Sequence, residues 1–293
     1  MVKGRALHFV FKIGNRIDNA KFYRDILGMK YLRHEEFDEG CKASCNGPYD
    51  GKWSKSMVGY GPEDNYFVVE LTYNYGIDSY KLGNDFRGIT ISSPTVLSNA
   101  KNAGYPMKQE NGYSILESPD GYKFYISSEP VTGDPVQKVS LSCSNLSRSV
   151  DYWTRLCGMK VYSQDSKSAL LSFDDNQCKL ELVDIGQPVD HATAFGRIAF
   201  SCPAEEQPKI QRAMEDAGQK ILNPLLSLDT PGKATVQVVI LADPDGHEIC
   251  FVCDEGFRVL SQIDPKADQL HDEAVKNDKS SEWFAKKGLA KGN

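Results

Sequence analysis

Residues 14–32, GNRIDNAKFYRDILGMKYL, return without a gap at 144–162 as SNLSRSVDYWTRLCGMKVY. Asn15 matches Asn145, Phe22 matches Tyr152, Tyr23 matches Trp153, and each stretch carries Gly-Met-Lys in register. Matching positions held across a helix and its cap mark an internal duplication, so the chain must fold as copies of one supersecondary unit. That unit is legible around the first copy. Residues 7–13, LHFVFKI, alternate, with Leu7, Phe9, Phe11 and Ile13 on one face and His8, Val10 and Lys12 on the other, as a half-buried strand requires. Ile17, Ala20, Phe22, Tyr23, Ile26 and Leu27 then recur at helical spacing, and Gly28 closes the helix. Strands read over 29–37, around 55–60 and over 66–74, separated by a turn-rich insert containing Gly47, Pro48 and Gly51 and by GPEDN at 61–65. The order is βαβββ.

The strand that closes this unit, YFVVELTYNYG at 66–76, carries one carboxylate, Glu70, in an apolar run, and 178–186, CKLELVDIG, echoes it with Glu181. An acid set in an apolar strand needs a cation, a metal or a hydrogen-bond donor nearby. A weaker pair, FRGITIS at 86–92 and FGRIAFS at 195–201, opens two further units, which end in the hairpins SPDGYKFYIS (118–127) and DPDGHEICFV (243–252). Asp-Gly is a good short hairpin turn, and no chemistry is assigned to it. Four βαβββ modules therefore cover 4–76, 84–129, 135–186 and 193–254. Beyond Phe257 the chain is polar, with one apolar patch at Trp283-Phe284.

Forty acids against 34 Lys and Arg give a net charge of -6, which argues against a surface built to neutralise nucleic-acid phosphates. No segment approaches the roughly 20 apolar residues of a membrane helix, and the N-terminus enters strand alternation without a signal-peptide core or an Arg-rich presequence pattern. Cys143, Cys178, Cys202 and Cys250 sit in strand-like runs as small hydrophobes. Cys250 and Cys253 form the one CxxC pair, read as structural thiols. The expectation is a reducing, cytoplasmic setting, with mitochondrial association left open.

Four tandem βαβββ modules, with His8 on the first strand and ELTYNYG closing the first module, resemble the vicinal oxygen chelate superfamily and, within it, glyoxalase I, whose corresponding strand reads ELTxNWG. The resemblance implies an α+β fold in which the modules pair into two cup-shaped mixed β-sheets, the glyoxalase/bleomycin-resistance fold. It divides the chain into 1–130, 131–257 and a tail, 258–293. It implies lactoylglutathione lyase-like detoxification of methylglyoxal as its glutathione hemithioacetal. Glutathione would be co-substrate, a divalent Zn, Ni, Co or Mn ion cofactor, and the assembly a monomer or homodimer with no nucleic-acid or membrane partner. Carried over residue by residue, His8 and Glu70 fall on metal-ligand positions, Glu70 and Tyr125 on catalytic positions, and Asn74 and Lys12 on positions facing glutathione. The pattern is incomplete. Gly88 and Tyr125 replace both ligands of module two, Lys138 replaces the first of module three while Glu181 keeps the second, and Arg197 and Cys250 replace both in module four. If modules one and two share a cup its inventory is His8, Glu70, Gly88 and Tyr125; if modules one and four share it, His8, Glu70, Arg197 and Cys250. The alternative is a metal-free binding or scaffold protein of the same fold.

Overall fold

The computed structural model describes residues 2–40, 48, 49, 51–230 and 233–288; Gly47 of the expected insert lies outside them. Module one runs β1 (Arg5–Ile13), α1 (Arg16–Lys21) widening into a π-helical turn over Phe22–Ile26, β2 (Lys30–Phe37), β3 (Trp53–Gly59) and β4 (Val68–Asn74). Module two follows as β5 (Phe86–Ser92), α2 (Pro94–Asn102), β6 (Lys108–Glu110), β7 (Tyr113–Glu117) and β8 (Lys123–Ser127). Module three is β9 (Val136–Cys143), α3 (Leu146–Asp151) with a π-helical turn over Tyr152–Leu156, β10 (Lys160–Gln164), β11 (Ser168–Ser172) and β12 (Lys179–Asp184). Module four is β13 (Arg197–Cys202), α4 (Gln207–Asp216), β14 (Ile221–Asp229), β15 (Thr235–Ala242) and β16 (Glu248–Cys253). The duplicated asparagines are N-caps: Asn15 accepts from the Ile17 and Asp18 N–H groups and Asn145 from that of Arg148, satisfying donors that the first turn leaves free. Gly28 adopts φ of +69°, the left-handed closure expected of it.

The modules pair as one with four and two with three. One eight-stranded sheet has the order β14-β15-β16-β13-β1-β4-β3-β2 and the other β10-β11-β12-β9-β5-β8-β7-β6. First strands meet antiparallel at each centre, β1 on β13 with Val10 opposite Arg197, and β5 on β9 with Thr90 opposite Lys138. The helices lie between the two sheets. Phe22 and Tyr23 pack tilted and edge-on against Phe124 of β8, with ring centroids 5.4 and 5.9 Å apart, and Trp153 packs edge-on against Phe200 of β13 at 5.9 Å. Each half of the sequence thus gives one module to each sheet. One strand-face expectation changes. The β1–β13 register slips between Ala6 and His8, and Leu7 packs with Phe257 and Leu260 on the cup side rather than with Phe9 and Phe11 in the main core, because a bulge turns one residue to the other face.

The aspartates of the hairpin turns hold the modules together. Asp120 accepts from the Gly14 N–H at 2.8 Å and from Asn19 Nδ2 at 2.6 Å, tying the start of α1 to the last hairpin of module two. Asp245 occupies the equivalent place on module four and accepts from Ser144, Ser149 and Arg148 around the start of α3. The described residues past 253 form three helices joined by short turns. α5 (Asp254–Leu260) covers the module-four half of the first cup, while α6 (Ala267–Lys276) and α7 (Ser280–Lys286) dock on module one. Arg16 anchors this extension by donating to Asp278 at 2.9 Å, and the buried His271 ring lies 4.5 Å from Tyr31.

Replacing Asp245 by Ala leaves the buried Ser149 hydroxyl without this acceptor, at roughly 1–3 kcal/mol; a drop in thermal melting temperature is expected, and an unchanged melt contradicts the clamp. His271 carries a second expectation. Burial, aided by His34, Arg24 and Arg16 and opposed by Asp272, lowers its pKa to about 4. A folded pKa below the unfolded one means that stability is full above about pH 6.5 and falls as the pH drops toward 4, by on the order of 3 kcal/mol. Denaturant titrations of the wild type and His271→Gln at pH 7 and pH 4.5 should show the smaller acid loss in the variant.

Candidate active site

The first cup holds the candidate site, because β1, β4, β13 and β16 turn His8, Glu70, Arg197 and Cys250 to the same concave side. His8 is buried, with 8 % exposure. Its Nδ1 lies 2.6 Å from Glu63 Oε1 and its Nε2 3.5 Å from Glu70 Oε2. A carboxylate only accepts, so the Glu63 contact puts the proton on Nδ1 and leaves Nε2 facing Glu70. Burial pushes the Glu63 carboxyl up, but His8, Arg33 and Arg5 outweigh it and the pKa falls below the usual carboxylate range. Thr72 donates to the other oxygen of Glu70 at 3.3 Å.

The replaced positions have found partners. Arg197 donates through Nε and Nη2 to Glu248 Oε2 at 2.9 and 2.7 Å, and Glu248 stands two residues before Cys250 on the same face of β16. The Cys250 thiol is pushed up to about 11 by burial, with Arg197 opposing and Glu70 and Glu248 adding to the rise. It is a neutral thiol at physiological pH, and the strand register, with Val10 paired to both Glu70 and Arg197 and Arg197 to Glu248, places these residues around one centre. Toward one end, Arg33 contacts Glu35 at 3.4 Å and Glu63 at 3.5 Å, while Lys233 binds Glu35 at 2.9 Å. Arg33 also donates to the Leu260 carbonyl of α5 at 3.2 Å. Toward the other end lie Lys12 and Asn74. Lys12 Nζ sits 3.0 Å over the Phe195 ring and donates to the Thr193 carbonyl at 3.1 Å. Burial, opposed by Glu248 and assisted by Arg197, lowers its pKa to about 8. Asn74 donates to the Tyr80 hydroxyl at 2.9 Å, and its buried Oδ1 has no protein partner among the described residues.

His8, Glu70, Lys12 and Asn74 therefore share a cup, and Tyr125 does not belong to it. Tyr125 lies on β8 in the second sheet, its ring filling the space over Gly88, where an added Cβ would meet it at 2.4 Å. Tyr125 and Glu70 cannot act on one substrate, because pairing of modules one and four separates them. Glu181 is neutralised in the second cup by Lys138 at 2.5 Å. Glu63, Arg33 and Glu248 are members of the site that the sequence pattern does not single out. Glu248 was legible from its two-residue spacing to Cys250, whereas Glu63 sits in a turn whose direction no periodicity reports. A further group, Asp85, His191 and His247, brings three ligand atoms within 4.8 Å of one another between the sheets; among the described residues no other set of three His, Cys, Asp or Glu side chains does so.

Comparison with known proteins agrees with this architecture. A family model described as glyoxalase domain-containing protein 4-like, C-terminal domain, matches residues 145–260. The chain is 60% identical to glyoxalase domain-containing protein 4 of Rattus norvegicus over 297 residues, covering 100% of both chains. It is 47% identical to glyoxalase 1 of Caenorhabditis elegans, covering 96% of this chain and 99% of that one. A probable chloroplastic lactoylglutathione lyase of Arabidopsis thaliana is 31% identical over 85% of this chain and 73% of its own. The crystal structure of glyoxalase I from Zea mays superposes with a TM-score of 0.72 at 27% identity, covering 87% of this chain and 94% of that chain. The chain belongs to the glyoxalase domain-containing protein 4 family, a branch of the glyoxalase superfamily related to lactoylglutathione lyases.

Proposed function

We propose that the cup shared by modules one and four is a lactoylglutathione lyase-like site that isomerises the hemithioacetal of methylglyoxal and glutathione. The observation that supports it is the placement of Glu70 beside His8 Nε2, with Val10 of β1 paired to Glu70 on one side and to Arg197 on the other. The names of the relatives, glyoxalase 1 and probable lactoylglutathione lyase, point to the same substrate class.

The resemblance implies a divalent ion in this cup, and the residues fit it only in part. His8 has the orientation of a ligand, its Nδ1 fixed by the Glu63 carboxylate and its Nε2 directed at Glu70 3.5 Å away. The third position is a guanidinium already paired with Glu248, and the fourth a thiol that stays protonated. A cation at a ligand position opposes a second cation, and a thiol must lose its proton before it can bind one. The set does not fit a resident metal, so the reaction is assigned to protein groups.

Glu70 removes the carbon-bound proton next to sulfur, and the electron pair of that bond forms the carbon–carbon double bond of an enediolate. The developing oxyanion faces Arg197, a preformed positive charge in a site largely closed to water. Glu70 returns the proton to the neighbouring carbon, and the hydroxyl proton passes between the two oxygens through His8 Nε2, leaving a thioester and a secondary alcohol. Lys12 and Asn74 line the end of the cup where the carboxylates and amides of a glutathione moiety would lie. The uncompensated Asn74 Oδ1 offers an acceptor for an amide N–H.

Thioester formation from methylglyoxal plus glutathione tests this. Wild-type turnover is expected, with kcat lowered roughly 100-fold or more in Glu70→Gln at unchanged melting temperature, in line with removal of a general base. Added Ni, Zn or Mn should leave the rate unchanged. Absence of wild-type turnover at every metal condition sinks the lyase reading.

The Arg197–Glu248 pair and the protonated Cys250 favour a second reading, a metal-free cup that holds a glutathione conjugate without converting it. In that case stable S-substituted glutathiones raise the melting temperature in a concentration-dependent way, and Lys12→Ala removes the shift. No shift with any conjugate eliminates this reading.

A further inference from the structure

We propose that Asp85, His191 and His247 form a site for a divalent zinc-like ion at the junction of modules two, three and four, separate from the first cup. Asp85 directly precedes β5, His191 lies in the linker between β12 and β13, and His247 lies in the hairpin before β16. Their ligand atoms fall within 4.8 Å of one another. A tetrahedral ion with bonds of about 2.0–2.2 Å holds its ligand atoms inside such a span.

The argument rests on what surrounds the rings. His191 Nε2 lies 2.8 Å from the Asp245 carbonyl, and His247 Nε2 lies 2.7 Å from the Ser142 carbonyl. A carbonyl only accepts, so each ring carries a proton on Nε2 and Nδ1 is the nitrogen left to bind an ion; that of His191, which faces a carboxylate, must first give up its proton. Fixing of the distal N–H by a backbone carbonyl is the arrangement that orients metal-binding histidines. His191 Nδ1 is already 2.9 Å from Asp85 Oδ2, the contact that an ion would bridge. Loading would then release the proton held between these two atoms.

The frame around the group is rigid. Ser142, whose carbonyl orients His247, also donates its N–H to the Asp85 carbonyl at 2.8 Å and its hydroxyl to that of Asn84 at 2.6 Å. Asp243 accepts the His247 N–H at 3.0 Å, and Asn84 and Asp190 join the linker to the start of β5 through bonds of 2.8 and 2.6 Å. Asp85 and His247 are buried and His191 is partly exposed, which gives the ion an entry path. Two imidazoles and one carboxylate suit Zn(II) or Ni(II) better than Mg(II) or Ca(II). Three protein ligands leave a fourth position for water or another donor, and Asp85 also lines a cavity of about 340 Å³ with Arg87, Lys123 and Tyr125.

The test uses the full chain stripped with chelator and reloaded with ZnCl2 or CoCl2. One equivalent of metal per chain is expected, with Co(II) giving the visible d–d bands of a low-coordinate nitrogen and oxygen site. His191→Asn should lower metal affinity at least about 100-fold, whereas the His8→Ala, Glu70→Gln double variant should bind as the wild type does. Should His191→Asn fail to fold, the wild-type and cup-variant titrations still decide. Failure of the stripped wild type to take up either metal, or loss of uptake in the cup variant, overturns the site. Full uptake by folded His191→Asn overturns it too.

Discussion

Everything in this molecule depends on how the first strand of each module finds a neighbour. A βαβββ module leaves its first strand with one paired edge, the parallel ladder to its own last strand, and one open edge of unsatisfied N–H and C=O groups. Here β1 closes its open edge on β13 and β5 closes on β9. That choice places Glu70 with Arg197 and Cys250 and separates it from Tyr125. It also builds two cups of different character from one repeated unit.

The two cups show what happens to acids that an apolar strand carries. Burying a charge without a partner costs several kcal/mol, so each must be paired or neutral. Glu181 is neutralised by Lys138, and the space at Gly88 is filled by the Tyr125 ring, which leaves the second cup without a free acid at its centre. In the first cup the charges are distributed: Glu63 on His8, Glu248 on Arg197, Glu35 on Lys233. Glu70 then keeps 15% of its side chain exposed, and this keeps it available for chemistry. The first helix after residue 253, α5, closes one end of that cup through Leu260 and Phe257, so it belongs to the site's wall.

Much of this was legible residue by residue. Alternation along 7–13 placed His8 and Lys12 on one face, and the repeat placed Asn15 and Asn145 at equivalent helix starts, where both proved to be caps. The Asp-Gly turns were legible as hairpins but not as clamps, since their Asp120 and Asp245 acceptors serve donors in another module. Leu7 was misassigned because a bulge leaves no trace in a period-two pattern. Glu63, Asp85 and His191 sit in turns and linkers, whose course periodicity does not encode.

The sequence by itself determined the module, its fourfold recurrence and which side chains share a strand face, because these follow from local periodicity and from turn chemistry carried within a few residues. Only the tertiary structure decided which modules pair, and with that which half-sites meet. The open edge of β1 is chemically the same toward any other first strand, so the choice is made by packing. Helices carrying Phe22, Tyr23 and Trp153 must be covered by Phe124 and Phe200 of other modules, and that coverage fixes the pairing of one with four and two with three.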